Sequence, residues 1–134
     1  GEPLKGKTVA VFNRSEVVGR PLASMLANDG AKVFSFDVDG CEIFTKGKIS
    51  EASASRAAAL AAADGLITGV PSRAFSLIGR GEIQDGAVCL NFSTRKNFHD
   101  DALEKASVFV PRVGPMTVTM ALRNTLRLFR HVTG

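Results

Sequence analysis

Thr8-Val9-Ala10-Val11-Phe12-Asn13-Arg14-Ser15-Glu16-Val17-Val18-Gly19-Arg20-Pro21 is the stretch on which the fold turns. Thr8 to Asn13 is short, apolar and β-branched, bounded by Gly6-Lys7 and a polar turn, the pattern of a buried strand. Val17 to Asn28 reads as a helix with Pro21 in its first turn, where the missing N–H of proline costs little. Asp29-Gly30 ends it. A turn that leaves a parallel strand and opens a helix presents unpaired N–H groups and the positive end of a dipole, both of which favour a pyrophosphate. Ser15 adds a hydroxyl donor, and Gly19 lets the helix approach the sheet. The spacing is one residue longer than GxGxxG, and Asn13 stands where a glycine is expected. Asparagine tolerates positive φ better than most residues, so that departure is mild. A plain strand-to-helix turn carries the same local pattern.

Working outward, apolar runs alternate with helical segments, as in βαβ units around a mostly parallel sheet. Ala31 to Phe36 is the second strand and ends in Asp37-Val38-Asp39-Gly40. Asp37 follows Asn13 at close to the roughly 20-residue separation at which an acid reaches an adenosine ribose. A solvent-exposed strand-end carboxylate is the alternative, with Asp39 equally available. Glu51 to Asp64 is alanine-rich and fits a close-packing crossover helix better than a low-complexity linker. Gly65 to Val70 is the third strand, with Pro71-Ser72 as the turn after it. The region from Arg73 to Gly86 is ambiguous and leaves room for a short helix. Ala87 to Phe92 is the fourth strand. Asn97 caps a helix running to Lys105, with Asp100 in its first turn. Val108 to Val110 is a fifth, short strand, and Gly114-Pro115 opens a final helix to about Arg130. The expectation is one α/β domain over residues 1–134: a doubly wound, mostly parallel sheet of about five strands with helices on both faces.

Composition narrows the function classes. The 134 residues are 45% hydrophobic and 22% charged, ordinary for a soluble globular domain. No apolar run approaches the roughly 18 residues of a membrane span, and Gly1 to Lys7 lacks the apolar core of a secretory signal. A start at Gly1 suggests a chain cut from something longer. The net charge of +4 raises nucleic acid as a partner. The basic residues are scattered, however, except for Arg123, Arg127, Arg130 and His131. Those lie on one side of a helix whose other side carries Val118, Leu122, Thr125, Leu126 and Phe129. With no tyrosine, no tryptophan and no basic segment interleaved with aromatics, nucleic-acid binding is not expected. Cys89 sits in an apolar run and Cys41 has no CxxC partner, so a reducing cytosol fits better than a disulfide. His99 and His131 have no second ligand or acid partner at useful spacing, so no metal is expected. Asn13-Arg14-Ser15 and Asn91-Phe92-Ser93 match the glycosylation pattern, but at strand ends.

Three ordered motifs add a resemblance. Asn13-Arg14-Ser15-x-x-Val18-Gly19-x-Pro21 resembles the GRSxxVGxP turn of methylenetetrahydrofolate dehydrogenases. Ala63-Asp64-Gly65-Leu66-Ile67-Thr68-Gly69-Val70-Pro71 is similar to that family's ADIVIxAxGxP segment. Val113-Gly114-Pro115-Met116-Thr117-Val118-Thr119-Met120, followed by Arg123-Asn124-Thr125, resembles its VGPMTVAML…NT stretch. The departures are most like the monofunctional, NAD-dependent branch: Asn13 for the first glycine, Ile67 to Ser72, Cys89 to Phe92 followed by Lys96-Asn97-Phe98, and Asp37-Val38 where NADP-dependent bifunctional enzymes typically carry His-Ser. The usual proline-glycine-glycine before VGPMT is shortened here to Pro111-Arg112.

The resemblance implies a Rossmann-type, NAD-binding domain of an enzyme oxidising 5,10-methylenetetrahydrofolate to the methenyl form in one-carbon and purine metabolism, cytoplasmic and homodimeric. It implies Arg14 and Ser15 at the pyrophosphate, with Asn13 and Val18 in the same turn, and Asp37 with Val38 at the adenosine ribose. Gly69, Val70, Pro71 and Ser72 would flank the adenosine; Asn91, Phe92 and Ser93 the nicotinamide. Arg112, Val113, Gly114, Pro115 and Met116 would close the site toward the tetrahydrofolate substrate, with Thr117 beside them on the cofactor. The family's N-terminal half, with its lysine and tyrosine, is absent from these residues; Lys5 and Lys7 cannot replace that lysine, so no catalytic residue is expected in this chain. Two other classes stay open: a non-catalytic dinucleotide-binding or assembly module, and the Rossmann domain of another small-molecule dehydrogenase.

Overall fold

The structure is a computed structural model that describes residues 4–13, 19–37, 40–70, 75–91, 96–104 and 108–110. Seven strands form one sheet: β1 (Thr8–Phe12), β2 (Lys32–Asp37), β3 (Gly40–Thr45), β4 (Lys48–Ala52), β5 (Gly65–Thr68), β6 (Val88–Asn91) and β7 (Val108–Val110). Their spatial order is β4-β3-β2-β1-β5-β6-β7. The five strands expected from the sequence pair in parallel, Phe12 lying opposite both Phe36 and Thr68, and Thr68 opposite Asn91. The chain winds outward from β1 in one direction, then returns to the other side with β5. The order therefore reverses between β1 and β5, where open α/β sheets leave a crevice for ligands.

Alternation along β1 builds two cores. Val9 and Val11 point to the side covered by α1 (Gly19–Asn28), where they meet Leu22, Ala23, Leu26 and Ala27. Ala10 and Phe12 point to the opposite side, where α2 (Arg56–Ala62) contributes Leu60 and the loops add Ile78, Ile83 and Phe98. A strand covered on both faces is apolar throughout, which is why TVAVF shows no polar alternation. Helix α1 ends as expected: Gly30 takes φ 102 and its N–H donates to the Ala27 carbonyl. The lead-in is tied to that end, since the Leu4 N–H donates to Asp29 O at 2.7 Å.

Three expectations change. The sheet gains an antiparallel hairpin, β3–β4, beyond β2. Lys46-Gly47 closes it as a two-residue turn, with Gly47 at φ 73, between strands whose residues Thr45 and Lys48 pair. Such loops demand positive φ, and glycine supplies it cheaply. The crossover helix is consequently shorter than Glu51 to Asp64: Glu51 and Ala52 belong to β4, and Ser55 caps α2 through its Oγ, which accepts from the Ala58 N–H. Asn97 caps no α-helix. Asp100–Glu104 is a 3₁₀ turn, a second one occupies Arg80–Glu82, and the Asn97 side chain is committed elsewhere. The final helix from Gly114 lies outside the described residues. No helix among the described residues is long and apolar enough to cross a membrane.

Candidate cofactor site

Parallel strands align their C-terminal ends, so residues far apart in sequence meet along one edge. Asn13 follows β1, Asp37 ends β2, Gly69 and Val70 follow β5, and Asn91 ends β6. These four strand ends are adjacent in the sheet, and all are positions that sequence reasoning placed at a dinucleotide. Arg14, Ser15, Val18, Val38, Pro71, Ser72, Phe92, Ser93, Arg112, Val113, Gly114, Pro115, Met116 and Thr117 lie outside the described residues.

Asn13 stands at the point where the strand order reverses. It is the one non-glycine residue with positive φ among those described, at 156°, the conformation for which a glycine would be the usual choice. Its Nδ2 donates to the Gly69 carbonyl across the crevice, while the Gly69 N–H donates to Phe12 O at 3.1 Å. The asparagine thus adds what glycine cannot, a side-chain link between the turns after β1 and β5.

Asp37 is fixed by the unexpected hairpin. Its Oδ1 accepts from the Gly40 N–H at 3.1 Å, closing the turn from β2 into β3. A carboxylate with one oxygen engaged in its own turn has limited rotamer freedom.

Beneath this edge lies a row of side chains on the α2 side of the sheet: Phe36, Phe12, Thr68 and Asn91, neighbours by register. Phe12 and Phe36 stack with centroids 4.9 Å apart, and Phe75 meets Phe12 edge-on at 5.8 Å. Arg56 covers Phe75, its guanidinium 4.9 Å from the ring centre, and pairs with Glu82 at 3.3 Å. Phe36, Val70 and Phe75 are only partly buried, which leaves an apolar shelf at the rim. The Thr68 hydroxyl, fully buried in the same row, has no hydrogen-bond partner among the described residues. An orphaned buried hydroxyl is rare enough to mark a place of interest. In the sequence Thr68 stood out only as one member of the Ala63 to Pro71 segment, and the shelf carried no signal beyond hydrophobicity.

The remaining reactive groups stand apart. Burial pushes the Cys89 thiol up to about 12, so it is no nucleophile. Among the described residues no group of His, Cys, Asp and Glu could hold a metal ion. The described part of the site offers an acceptor carboxylate, backbone turns and an apolar shelf at a switch point, which suits an extended dinucleotide.

Comparison with known proteins agrees with that geometry. Residues 1–133 match the family model described as tetrahydrofolate dehydrogenase/cyclohydrolase, NAD(P)-binding domain. A methylenetetrahydrofolate dehydrogenase [NAD(+)] of Dictyostelium discoideum is 47% identical over 98% of this chain and 43% of its own length. A bifunctional protein FolD of Nitrosopumilus maritimus is 30% identical, over 94% of this chain and 43% of its own. The solved NAD-dependent 5,10-methylenetetrahydrofolate dehydrogenase of Saccharomyces cerevisiae superposes with a TM-score of 0.76 at 44% identity, over 98% of this chain and 45% of that one. The chain spans less than half the length of these relatives. It belongs to the tetrahydrofolate dehydrogenase/cyclohydrolase family, as the NAD(P)-binding domain.

Proposed function

We propose that this domain binds NAD within an enzyme that oxidises 5,10-methylenetetrahydrofolate to 5,10-methenyltetrahydrofolate. An N-terminal domain of the same protein would supply most of the folate pocket, with residues 1–134 acting as one cofactor domain. When bound, NAD supplies the hydride acceptor, C4 of its nicotinamide. The chain's own task is alignment. Such a transfer needs reacting atoms held about 3–3.5 Å apart more than it needs a protein acid or base.

The observation that carries the preference for NAD is the Asp37 carboxylate, turned by the Gly40 N–H at the end of β2. In that position it accepts hydrogen bonds from ribose hydroxyls. A 2′-phosphate would bring about two negative charges beside it, at a cost on the order of a few kcal/mol. Val38 has no donor to offset this. Arg14 and Ser15 serve the pyrophosphate, in the turn that also holds Asn13 and Val18; Gly69, Val70, Pro71 and Ser72 flank the adenosine side; Asn91, Phe92, Ser93 and Thr117 shape the nicotinamide side. Arg112 to Met116 face the folate.

Support for the NAD-dependent branch comes also from the relatives. Those named for NAD(+) are 42–47% identical, against 28–33% for those named bifunctional. By the same reading the protein works in cytoplasmic one-carbon metabolism feeding purine synthesis, as a homodimer. The test is turnover. Full-length protein should form NADH from methylenetetrahydrofolate and NAD, and should not hydrolyse the methenyl product above background. The 134-residue chain alone should bind NAD without turnover. NADH formation that scales with the isolated domain, or none with the whole protein, defeats the reading.

A further inference from the structure

Gly69-Val70, the turn after β5, is gripped from two sides by asparagine side chains. Asn13 holds Gly69 from the β1 side. From the other side, Asn97 Nδ2 donates to the Val70 carbonyl at 2.9 Å, and the Val70 N–H donates to Asn97 Oδ1 at 3.0 Å. Asn97 is 1% exposed. A primary carboxamide is the side-chain group that offers donor and acceptor in one plane, so it can pair with a residue's backbone as a neighbouring strand would. The turn thus has the hydrogen bonding of a sheet without a strand beside it.

Asn97 does not reach out from a loose arm. Its own carbonyl accepts from the Ile78 N–H at 2.9 Å, and the His99 N–H donates back to Ile78 O at 2.8 Å. Between them Ile78 and Phe98 form a parallel bridge, both side chains buried. The Arg80 N–H adds a bond to Asp101 Oδ1. The asparagine is therefore mounted on a small ladder rooted in the α2-side core, and its grip falls on the cleft edge of the sheet.

Burying an amide costs desolvation that only full pairing recovers, and apolar packing would have served stability alone. We propose that Asn97 is a positioning residue for the cofactor: it holds the Gly69-Val70 backbone in its docking form before the dinucleotide arrives. The inference rests on the reading that Gly69 and Val70 touch the adenosine side. Ordering the turn in advance removes that cost from the binding step.

The experiment uses the full-length protein, wild type and with Asn97→Ala, Asn97→Asp and Asp64→Ala. Asp keeps the acceptor for the Val70 N–H but sets an oxygen against the Val70 carbonyl. Asp64 braces the opposite end of the sheet and serves as the control for a purely structural role. Three readouts are taken: amide hydrogen exchange over residues 69–70, NAD affinity by calorimetry, and the unfolding midpoint. In the wild type without NAD, the 69–70 amides should already be protected. Both Asn97 variants should exchange faster there and bind NAD roughly tenfold more weakly, as expected for losing one or two hydrogen bonds. Asp64→Ala should lower the midpoint and leave NAD affinity within about twofold. Free exchange at 69–70 in the wild type until NAD is added overturns the proposal, and needs no variant to fold. Unchanged exchange in the Asn97 variants overturns it as well. Faster exchange with unaltered NAD affinity overturns it through its premise, by showing that this turn does not meet the cofactor.

Discussion

The two ends of the sheet use polar side chains in opposite ways. At the end where the parallel strands begin, Asp64 gathers strand starts to itself. Its Oδ2 accepts from the Thr8 N–H and its Oδ1 from Gln84 Nε2, both at 2.9 Å. Its own N–H donates to Thr8 O, and its carbonyl accepts from the Val88 N–H. One residue therefore ties together the beginnings of β1, β5 and β6. At the end where the strands finish, Asn13 and Asn97 brace turns rather than strands, Asp37 is fixed by the turn into the hairpin, and the Thr68 hydroxyl has no partner among the described residues. The closed end spends its polar groups on the fold. At the other end they brace the turns of the candidate site. Which end a polar residue occupies is thus a guide to what it does in this chain.

That contrast can be broken by substitution. The largest effect on stability should come from Asp64→Ala, which strips partners from the Thr8 N–H and from Gln84. A loss of about 2–3 kcal/mol is expected, for hydrogen bonds to a charged acceptor. It should appear as a lower urea midpoint at unchanged m-value, with cofactor affinity little altered; a weakened cofactor would erase the distinction between the ends. Thr68→Val should do the reverse. Removing a buried hydroxyl that has no partner is expected to leave stability within about 0.5 kcal/mol or raise it. A large destabilisation in urea would mean that this hydroxyl supports the fold after all. Cys89, in the middle of β6, belongs to neither end. Burial pushes its thiol up to about 12, so near neutral pH it should resist iodoacetamide in the native protein and react only on unfolding. Labelling of the folded protein would show an opening that the packing does not provide.

The parallel core and the strand-end place of Asp37 were legible in the sequence, and the reason is periodicity. Five short apolar runs separated by helical stretches admit little besides a doubly wound sheet, and Val108–Val110 falls where the pattern placed it. Asp37 was singled out as a candidate because the turn at Asn13 specifies where to look. The hairpin was overlooked although Lys46-Gly47, between the alternating stretches Cys41 to Thr45 and Lys48 to Ala52, is a usable turn signal. The alanine-rich run beyond it drew the helix boundary too early, across Glu51 and Ala52. Asn97 was misassigned for a deeper reason. An asparagine before Asp100 satisfies the rule for a helix cap, and its true partner, the Val70 backbone, is a long-range contact that local sequence does not encode. The stacking of Phe12 on Phe36 was likewise invisible, because it depends on strand register alone.

Selection of NAD is expected to lie at the Asp37 edge of the sheet. Titrating NAD and NADP against the wild-type protein and Asp37→Ser measures this directly. NAD should bind the wild type roughly 10²-fold more tightly, about 2.8 kcal/mol at 1.4 kcal/mol per factor of ten, and the serine variant should lose NAD affinity and narrow that ratio. Equal affinity of the wild type for the two cofactors, or a ratio that survives the substitution, would show that Asp37 is a turn carboxylate and that selection lies elsewhere.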